Sequence, residues 1–426
     1  MFVASTTPRP ASTMENPAQA QVPAFPVQHS ALAPLAEPLF RSLWIAAVIS
    51  YTGSWMQNVA TGWLMTSLTS SPLWVSLVQV ALSLPVLLIA LPAGALADIV
   101  DRRKFLLVTQ SSMVAASTVL GVLAVTGTCT PRLLLIFTFL LGAGAVMNDP
   151  GWQALTPDLV PTEKLASAVA LNSAGFNIAR AVGPALGGLV IALANSGIAF
   201  LLNAVSFFGV ILFLYRWKPA EREPRPAAIT FTAAIRIGLR YARQEPRIRA
   251  VLVRTLLFSL FASSFWALLP LVASRFGAEG YGVMLAAFGV GALAGAVLLA
   301  GARRSVSFDT LILAATIVFA IALCGLVRCS TLAFASMFAA AAGLGWICTL
   351  ASLNFVAQAS CPGWVRARVI SMYVLVLQGG LAVGSAIWGL MASHSSVKST
   401  LTIAACSLAA GLALAPWYRL QESGSH

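Results

Sequence analysis

The chain has 426 residues, of which 59% are hydrophobic and only 9% are charged, and its mean hydropathy is +0.87. A soluble domain carries roughly 25% charged residues, so this composition excludes a water-soluble fold. The formal net charge of +13 could indicate a nucleic-acid partner, but such a site needs basic residues clustered on one solvated face. Here they lie between apolar runs, which predicts a multi-pass membrane protein that binds no nucleic acid.

The first segment, residues 1–36, is rich in Pro, Ala, Gln and Ser and has no apolar stretch preceded by basic residues. This composition is typical of a disordered tail and excludes a secretory signal peptide. We therefore expect a disordered cytoplasmic tail, and we expect the first apolar run to direct membrane insertion.

Twelve apolar runs follow, and each is about as long as a membrane crossing, which takes ~20 residues in a helix. The runs cover 39–66, 74–97, 104–126, 132–150, 165–194, 198–216, 250–274, 281–302, 308–328, 332–357, 367–391 and 399–418. They fall into two sets of six. The sequence therefore predicts an all-α membrane protein with twelve transmembrane helices in two six-helix bundles, over 37–216 and 250–418.

The two sets are joined by residues 217–249, a polar connection rich in arginine. Its stretch FTAAIRIGLRYARQ has apolar residues at helical spacing among the arginines, which is typical of an amphipathic helix at a membrane surface. Residues 419–426 form a short C-terminal tail. Twenty of the 26 Lys and Arg residues lie on the side that holds both termini. Because basic residues are enriched in cytoplasmic loops, we predict cytoplasmic termini and a bacterial inner-membrane location.

The chain also contains an internal repeat, because several residues coincide when it is shifted by 201 positions. The pairs are Gly94 and Gly295, Arg102 and Arg303, Arg103 and Arg304, Pro161 and Pro362, Gly183 and Gly384, and Gly188 and Gly389. Two parallel halves related by an axis along the membrane normal are the architecture of many secondary transporters, which bind substrate between the halves. The repeat predicts two pseudo-symmetric bundles and a transport function.

The connection between the second and third spans reads GALADIVDRRK. Gly94 permits close helix approach, Asp98 can accept hydrogen bonds from a helix N-terminus, and Arg102 and Arg103 can pair with it or with lipid phosphates. The segment resembles the loop motif of the major facilitator superfamily, which implies a cytoplasmic gate. The chain departs from that motif at Asp101, where the superfamily has a glycine. An ordinary positively charged loop is the alternative interpretation.

The fifth span, GFNIARAVGPALGG, has small residues every four positions and an internal proline. These residues are Gly175, Ala179, Gly183, Pro184, Gly187 and Gly188. Small residues allow another helix to pack closely, and proline removes a backbone donor. The pattern resembles the antiporter motif of the superfamily, which implies an exporter that exchanges its substrate for protons. General small-residue packing between helices is the alternative.

Two longer segments, MNDPGWQALTPDLVPTEKLASAVALNSAGFNIARAVGP and QNVATGWLMTSLTSSPLWVSLVQ, resemble one branch of the superfamily. That branch includes the bacterial enterobactin exporter and macrolide efflux proteins. The resemblance implies the major facilitator fold and export of a small amphipathic molecule, siderophore or drug-like, by proton antiport. An importer or facilitator of the same fold and a lipid-handling or non-transport membrane protein are the alternatives. The chain has no ATP-binding, metalloprotease or triad motif, so we expect no enzyme activity.

Charges within spans are costly, ~2.5–3.5 kcal/mol at a helix centre on insertion scales, and so indicate function. Arg180 falls near the middle of the fifth span. It could hold an anionic substrate group, pair with Asp149, or belong to another structural pair between helices. Asp149 is the candidate for binding the coupling proton, although its place beside Pro150 also suits a helix terminus.

Polar and aromatic residues of several other spans are expected to line a substrate cavity, since amides and aromatic rings suit a bulky amphipathic solute. They are Trp55, Gln57, Asn58, Trp63, Asn177, Trp266, Asn354 and Gln378. The tryptophans could instead anchor the protein at the membrane interface. Cysteines and histidines lack metal-ligand spacing, so we expect no cofactor and no metal site. The expected partners are the bilayer, protons and a small-molecule substrate, and we expect a monomer.

Overall fold

The computed structural model describes residues 30, 32–217, 240–241, 243–303 and 305–420, with the backbone alone at 91, 94–95, 97–99, 150, 153–154 and 364. Most of the predicted N-terminal tail, most of the predicted amphipathic segment and the last residues of the C-terminal tail lie outside the described residues. The end of the N-terminal segment forms a short 3-10 helix, Ala33–Ala36.

Twelve long α-helices make up nearly all of the part of the chain that the structure describes. They are α1 Pro38–Leu68, α2 Pro72–Ile99, α3 Arg102–Val125, α4 Pro131–Leu159, α5 Leu165–Leu193, α6 Ser196–Arg216, α7 Pro246–Ala273, α8 Gly277–Ala302, α9 Phe308–Leu326, α10 Leu332–Ala359, α11 Gly363–His394 and α12 Val397–Gly411. Four of them, α1, α2, α4 and α7, begin with proline. Proline suits this first position because its missing N–H would have no intrahelical acceptor there.

The prediction of twelve membrane helices is confirmed. Length and hydropathy alone select ten stretches of the described chain as membrane spans, and one of them, Pro246–Ala302, contains both α7 and α8. The remaining helix is α1, whose apolar run is interrupted by Gln57 and Asn58. One predicted boundary is wrong, since α4 continues to Leu159 instead of ending near 150. Asp149 therefore lies inside a helix.

The helices pack as two bundles of six with the same internal pattern. In the first bundle α1 packs against α5 and α6, α2 against α4, and α3 against α6. The second bundle repeats this, with α7 against α11 and α12, α8 against α10, and α9 against α12. The predicted pseudo-symmetric pair of six-helix bundles is thus confirmed.

The two bundles meet mainly through α5 with α8 and α2 with α11. Gly188 and Gly282 lie so close that a Cβ on either would be within 3.0 Å of the other's backbone. Gly389 packs directly on Ser76, and Gly62 on Tyr281. These contacts lie in the half of the molecule away from the two termini, because α5 ends there while α2 and α8 begin there. The bundles are therefore closed at that end.

Candidate functional site

Asp149 lies on α4, on the face where α4 meets α1 and α5. Its side chain is accessible although protein surrounds it on several sides. Tyr51 of α1 is within electrostatic range of the Asp149 carboxylate. The Tyr51 ring contacts Phe176 of α5 and Trp152 of α4, with centroid separations of 5.4 Å and 6.3 Å. Asp149 thus stands at an aromatic cluster formed by three helices of the first bundle.

Arg180 lies on α5, and aromatic rings surround its guanidinium group. The group is 5.7 Å from the centre of the Trp55 ring on α1 and 5.6 Å from that of Phe288 on α8. Its Nε is buried and has no hydrogen-bond partner. Because Trp55 belongs to the first bundle and Phe288 to the second, Arg180 stands between the two bundles.

Asp149 and Arg180 do not form an ion pair. The ion pairs among the described residues join other side chains, Arg102 with Asp158, Lys164 with Glu37, and Arg254 with Asp309. The predicted possibility that Arg180 pairs with Asp149 is therefore wrong. The physical reason is that Arg180 extends toward α1 and α8, where it lies over two aromatic rings instead of a carboxylate.

The second bundle contributes an aromatic wall beyond Arg180. Trp266 of α7 contacts Phe288 at 4.8 Å between centroids, Phe265 at 5.3 Å and Trp346 of α10 at 5.6 Å. Trp55 and Trp266, both predicted to line the cavity, are thus linked through Arg180 and Phe288. Sequence reasoning missed Phe288 and Trp346, because an aromatic residue within a long apolar run carries no signal that distinguishes a site from a core.

Gln57 does not belong to this site. Its Oε1 accepts hydrogen bonds from Asn203 Nδ2 at 2.7 Å and from the Ser117 hydroxyl at 3.1 Å, and its side chain is buried. These partners lie on α6 and α3, on the side of α1 turned into the first bundle. The prediction that Gln57 lines the cavity is therefore wrong. Its amide satisfies a buried polar cluster that would be costly to leave unpaired.

The other predicted lining residues occupy different places. Asn177 is exposed on α5 and donates to the Ser173 carbonyl at 2.8 Å. Asn58 and Gln378 are partly buried on α1 and α11, and Trp63 packs against the main hydrophobic core. Asn354 lies near the end of α10 and accepts from Gln358 Nε2 at 2.5 Å. Of the predicted lining residues, the described structure brings Trp55 directly to Arg180 and Trp266 to it through Phe288.

The predicted gate residues bind the first bundle together at the end that holds the termini. Asp101 caps α3 by accepting the Lys104 backbone N–H at 2.8 Å. Arg102 pairs with Asp158 of α4 at 3.7 Å. Arg103 donates through Nε to the Leu214 carbonyl of α6 at 2.7 Å. At Gly94 and Asp98 the structure describes the backbone alone.

The small residues of α5 pack on two different helices. Gly183 and Gly187 lie against the backbone of α1, where a Cβ on Gly187 would be 3.0 Å from Met56 Cα. Gly175 packs on Val48 of the same helix, whereas Gly188 and the carbonyl of Pro184 face Gly282 of α8. The α5 helix is therefore in close contact both with its own bundle and with the second bundle.

Comparison with known proteins assigns the chain to a family. The profile of the family described as transmembrane secretion effector matches residues 29–426. The chain belongs to this branch of the major facilitator superfamily. Since these proteins are transporters, it is a multi-pass membrane transporter of a small molecule and not an enzyme.

Several curated relatives are similar over most of their length. The staphyloferrin A transporter of Staphylococcus aureus is 23% identical over 84% of this chain and 90% of its own. The multidrug efflux pump Tap of Mycolicibacterium fortuitum is 25% identical over 83% and 89%. The enterobactin exporter EntS of Escherichia coli is 26% identical over 83% and 85%. The predicted resemblance to the enterobactin exporter and to macrolide efflux proteins is confirmed, because macrolide efflux protein A of Streptococcus pyogenes is also similar, at 23% identity over 55% of this chain and 58% of its own.

Solved structures show the same fold at low identity. The inward-facing, occupied bacterial homolog of the human lysosomal transporter Spinster superimposes with a TM-score of 0.71 and 14% identity, covering 92% of this chain and 99% of its own. The nucleoside transporter NupG gives a TM-score of 0.65 and 15% identity, over 89% and 100%. These likenesses bear on the fold alone.

Proposed function

We propose that the protein exports a small amphipathic molecule, siderophore or drug-like, in exchange for protons. The observation that carries the proposal is the arrangement of Asp149 and Arg180. Both are charged residues on membrane helices, both adjoin aromatic rings, and neither forms an ion pair in the described structure. Because intramembrane charges are costly, unpaired ones are expected to act on a substrate or a coupling ion.

Asp149 is the proposed proton carrier. When the bundles close over this region, its carboxylate is removed from water without a cation to pair with. Since a charge at such depth is costly, closure requires that a proton, or a cationic group of the cargo, neutralise it. A cycle in which the proton returns inward on Asp149 and the cargo leaves outward is antiport.

Arg180, Trp55 and Trp266 form the core of the proposed cargo site, with Asn58, Asn177 and Gln378 on the neighbouring helix surfaces. Guanidinium and indole groups together attract anionic and aromatic parts of a solute. Arg180 also touches both bundles, through Trp55 and Phe288. A cargo bound there would therefore touch the contact between the two bundles. That contact must break when the bundles rock between two open states.

The present conformation supports the same cycle. The bundles are closed at the end away from the termini, where Gly188 meets Gly282. If the excess of Lys and Arg places the termini in the cytoplasm of a bacterial inner membrane, this is the inward-facing state. Asp101, Arg102 and Arg103 are then the proposed cytoplasmic gate, and the α5 glycines form the outer closure.

The relatives favour export and the type of cargo. They include an enterobactin exporter, a multidrug efflux pump and a staphyloferrin A transporter. All are matched over more than four fifths of their own length. We carry their cargo class, and no individual compound, to this chain.

The proposal can be tested in inverted bacterial membrane vesicles, whose interior becomes acidic during respiration. We expect vesicles containing the protein to accumulate enterobactin or erythromycin, and a protonophore to abolish accumulation. Asp149→Asn should reduce accumulation to background, whereas the exposed loop change Glu163→Gln should leave it intact. Accumulation of either compound that persists in Asp149→Asn would remove Asp149 from the mechanism. Proton-driven loss of either compound from preloaded vesicles would instead indicate an importer.

A further inference from the structure

The two bundles differ in the partner of a repeated arginine. In the first bundle Arg102, which begins α3, pairs with Asp158 near the end of α4. A shift of 201 residues places Arg303 at the equivalent of Arg102, but it places Ala359 at the equivalent of Asp158. Leu299 likewise stands where the first half has Asp98. The second bundle keeps the cation and lacks both carboxylates.

Within the described chain, no other carboxylate forms an ion pair with Arg303. Its guanidinium donates to the Ala351 carbonyl at 3.2 Å and lies over the Phe355 ring at 4.9 Å. The Phe308 ring is 5.9 Å away. Its Nε is buried and has no hydrogen-bond acceptor. A guanidinium group has five N–H donors, so this arginine retains donors for an anion.

An open pocket of about 650 Å³ lies beside Arg303. Its polar lining includes two guanidinium groups, two amides and a phenol, and Ala359 stands where a carboxylate occurs in the other bundle. The residues are Arg303, Asn354, Gln358, Ala359, Arg366 and Tyr373. The pocket therefore presents cationic and hydrogen-bonding groups together with the Phe355 ring.

The position of the pocket connects it to the transport path. It is formed by α8, α10 and α11 at the end that holds the termini. The same α8 and α11 are the helices through which the second bundle contacts the first. The pocket therefore adjoins the interface between the bundles, at the end opposite the Gly188–Gly282 contact. Arg180 lies at the same interface, between Trp55 and Phe288.

We propose that this pocket is a loading site that binds an oxyanion of the cargo, in the place of the carboxylate that the first bundle supplies from its own chain. The cargo class that fits is an organic acid with an aromatic or apolar body and at least one oxyanion, a carboxylate or a phenolate. Arginine favours such groups because its planar fork can bind a carboxylate through two parallel hydrogen bonds. This inference rests on the proposed export function and narrows its substrate.

The test uses the full-length protein in phosphatidylcholine nanodiscs and calorimetric titration with isophthalate, an aromatic dicarboxylate. Isophthalamide, a neutral molecule of the same shape, is the ligand control. We expect isophthalate to bind and isophthalamide not to bind. Arg303→Gln should weaken isophthalate binding at least about tenfold, because charge-assisted hydrogen bonds are lost. Arg328→Gln removes an exposed cation at the opposite end and should leave the affinity unchanged.

A second variant separates site chemistry from folding. Ala359→Asp restores the carboxylate of the first bundle and retains Arg303, so it should also weaken isophthalate binding at least about tenfold by neutralising the arginine. Equal isophthalate affinity in the wild type, Arg303→Gln and Ala359→Asp would overturn the proposal. Equal binding of isophthalamide and isophthalate would overturn it as well.

A lipid headgroup shares the oxyanion chemistry, and a third arm distinguishes it. We expect isophthalate binding to persist when the nanodiscs contain phosphatidylglycerol. Loss of binding in those nanodiscs, through competition at Arg303, would assign the pocket to lipid and contradict a loading site. Failure of the proposed export mechanism can be distinguished from failure of the loading site. Asp149→Asn should retain isophthalate binding in this assay while it loses gradient-driven transport.

Discussion

Each bundle has an arginine and a carboxylate within its membrane helices that can be compared, Arg180 and Asp149 in the first and Arg254 and Asp309 in the second, and the two bundles use them differently. In the second bundle Arg254 of α7 and Asp309 of α9 form an ion pair at 2.5 Å. In the first bundle Arg180 and Asp149 lie apart, and each adjoins aromatic rings. A pair whose charges satisfy one another stabilises structure. Charges left without a partner remain available for a cargo or a proton.

The further contacts of the second bundle's pair strengthen this contrast. Arg254 also donates to the Ala415 carbonyl at 3.0 Å, and Asp309 Oδ2 accepts the Leu420 backbone N–H at 3.0 Å. The pair thus holds α7, α9 and the segment after α12 together. Among the described residues Arg180 makes no comparable hydrogen bond or ion pair, although the Nε atoms of Arg180 and Arg254 are alike in being buried without an acceptor. The compared residues therefore form a structural ion pair in the second bundle and, within the described structure, remain without an ion pair in the first bundle.

Replacing Arg180 should reduce transport more than replacing Asp309. We expect Arg180→Gln to weaken the transport of acidic cargo at least about tenfold, because a cation at the aromatic site is lost. Neutral compounds such as chloramphenicol should be affected much less. The measurement is the initial rate in inverted vesicles at matched protein levels. An equal loss for acidic and neutral compounds would indicate that Arg180 only holds the bundles together.

Replacing Asp309 should reduce stability and leave transport by the folded protein unchanged. We expect Asp309→Asn to lower the free energy of unfolding by ~1–3 kcal/mol, because Arg254 loses its anionic partner while partly buried. Thermal unfolding in detergent measures the loss. Glu279→Gln, at an exposed carboxylate that begins α8, is the matched control and should leave the unfolding temperature unchanged. If Asp309→Asn abolished transport without affecting stability, the division between a structural and a functional pair would not hold.

The sequence predicted the twelve helices because long apolar runs leave few alternatives in a membrane. It misplaced the end of α4, since Asn148, Asp149 and Pro150 together are typical of a helix terminus. The helix continues because Leu155 and Leu159 beyond them are buried against neighbouring helices. A polar cluster in a sequence does not reveal whether apolar residues further along will find a packing partner.

The candidate site was predicted only in part. Arg180 is evident from sequence because a charge within an apolar run is rare, but its partner is not, since side-chain direction depends on which helices pack together. Gln57 and Asn58 could not both face the same cavity, because successive residues of a helix point about 100° apart. The sequence alone does not determine which of the two faces outward. The repeat, by contrast, aligns Arg102 with Arg303 in the sequence, but the missing carboxylate at Ala359 is recognised only once the structure pairs Arg102 with Asp158.

In the proposed mechanism, Asp149 couples cargo export to an opposing proton movement. The most direct measurement uses liposomes that contain the protein, enterobactin and the pH-sensitive dye pyranine, diluted into medium without enterobactin. Antiport predicts that the interior becomes more acidic as enterobactin leaves, and that this change is absent with Asp149→Asn. An interior that becomes more alkaline, or a wild type that matches Asp149→Asn while enterobactin still leaves, would contradict the account.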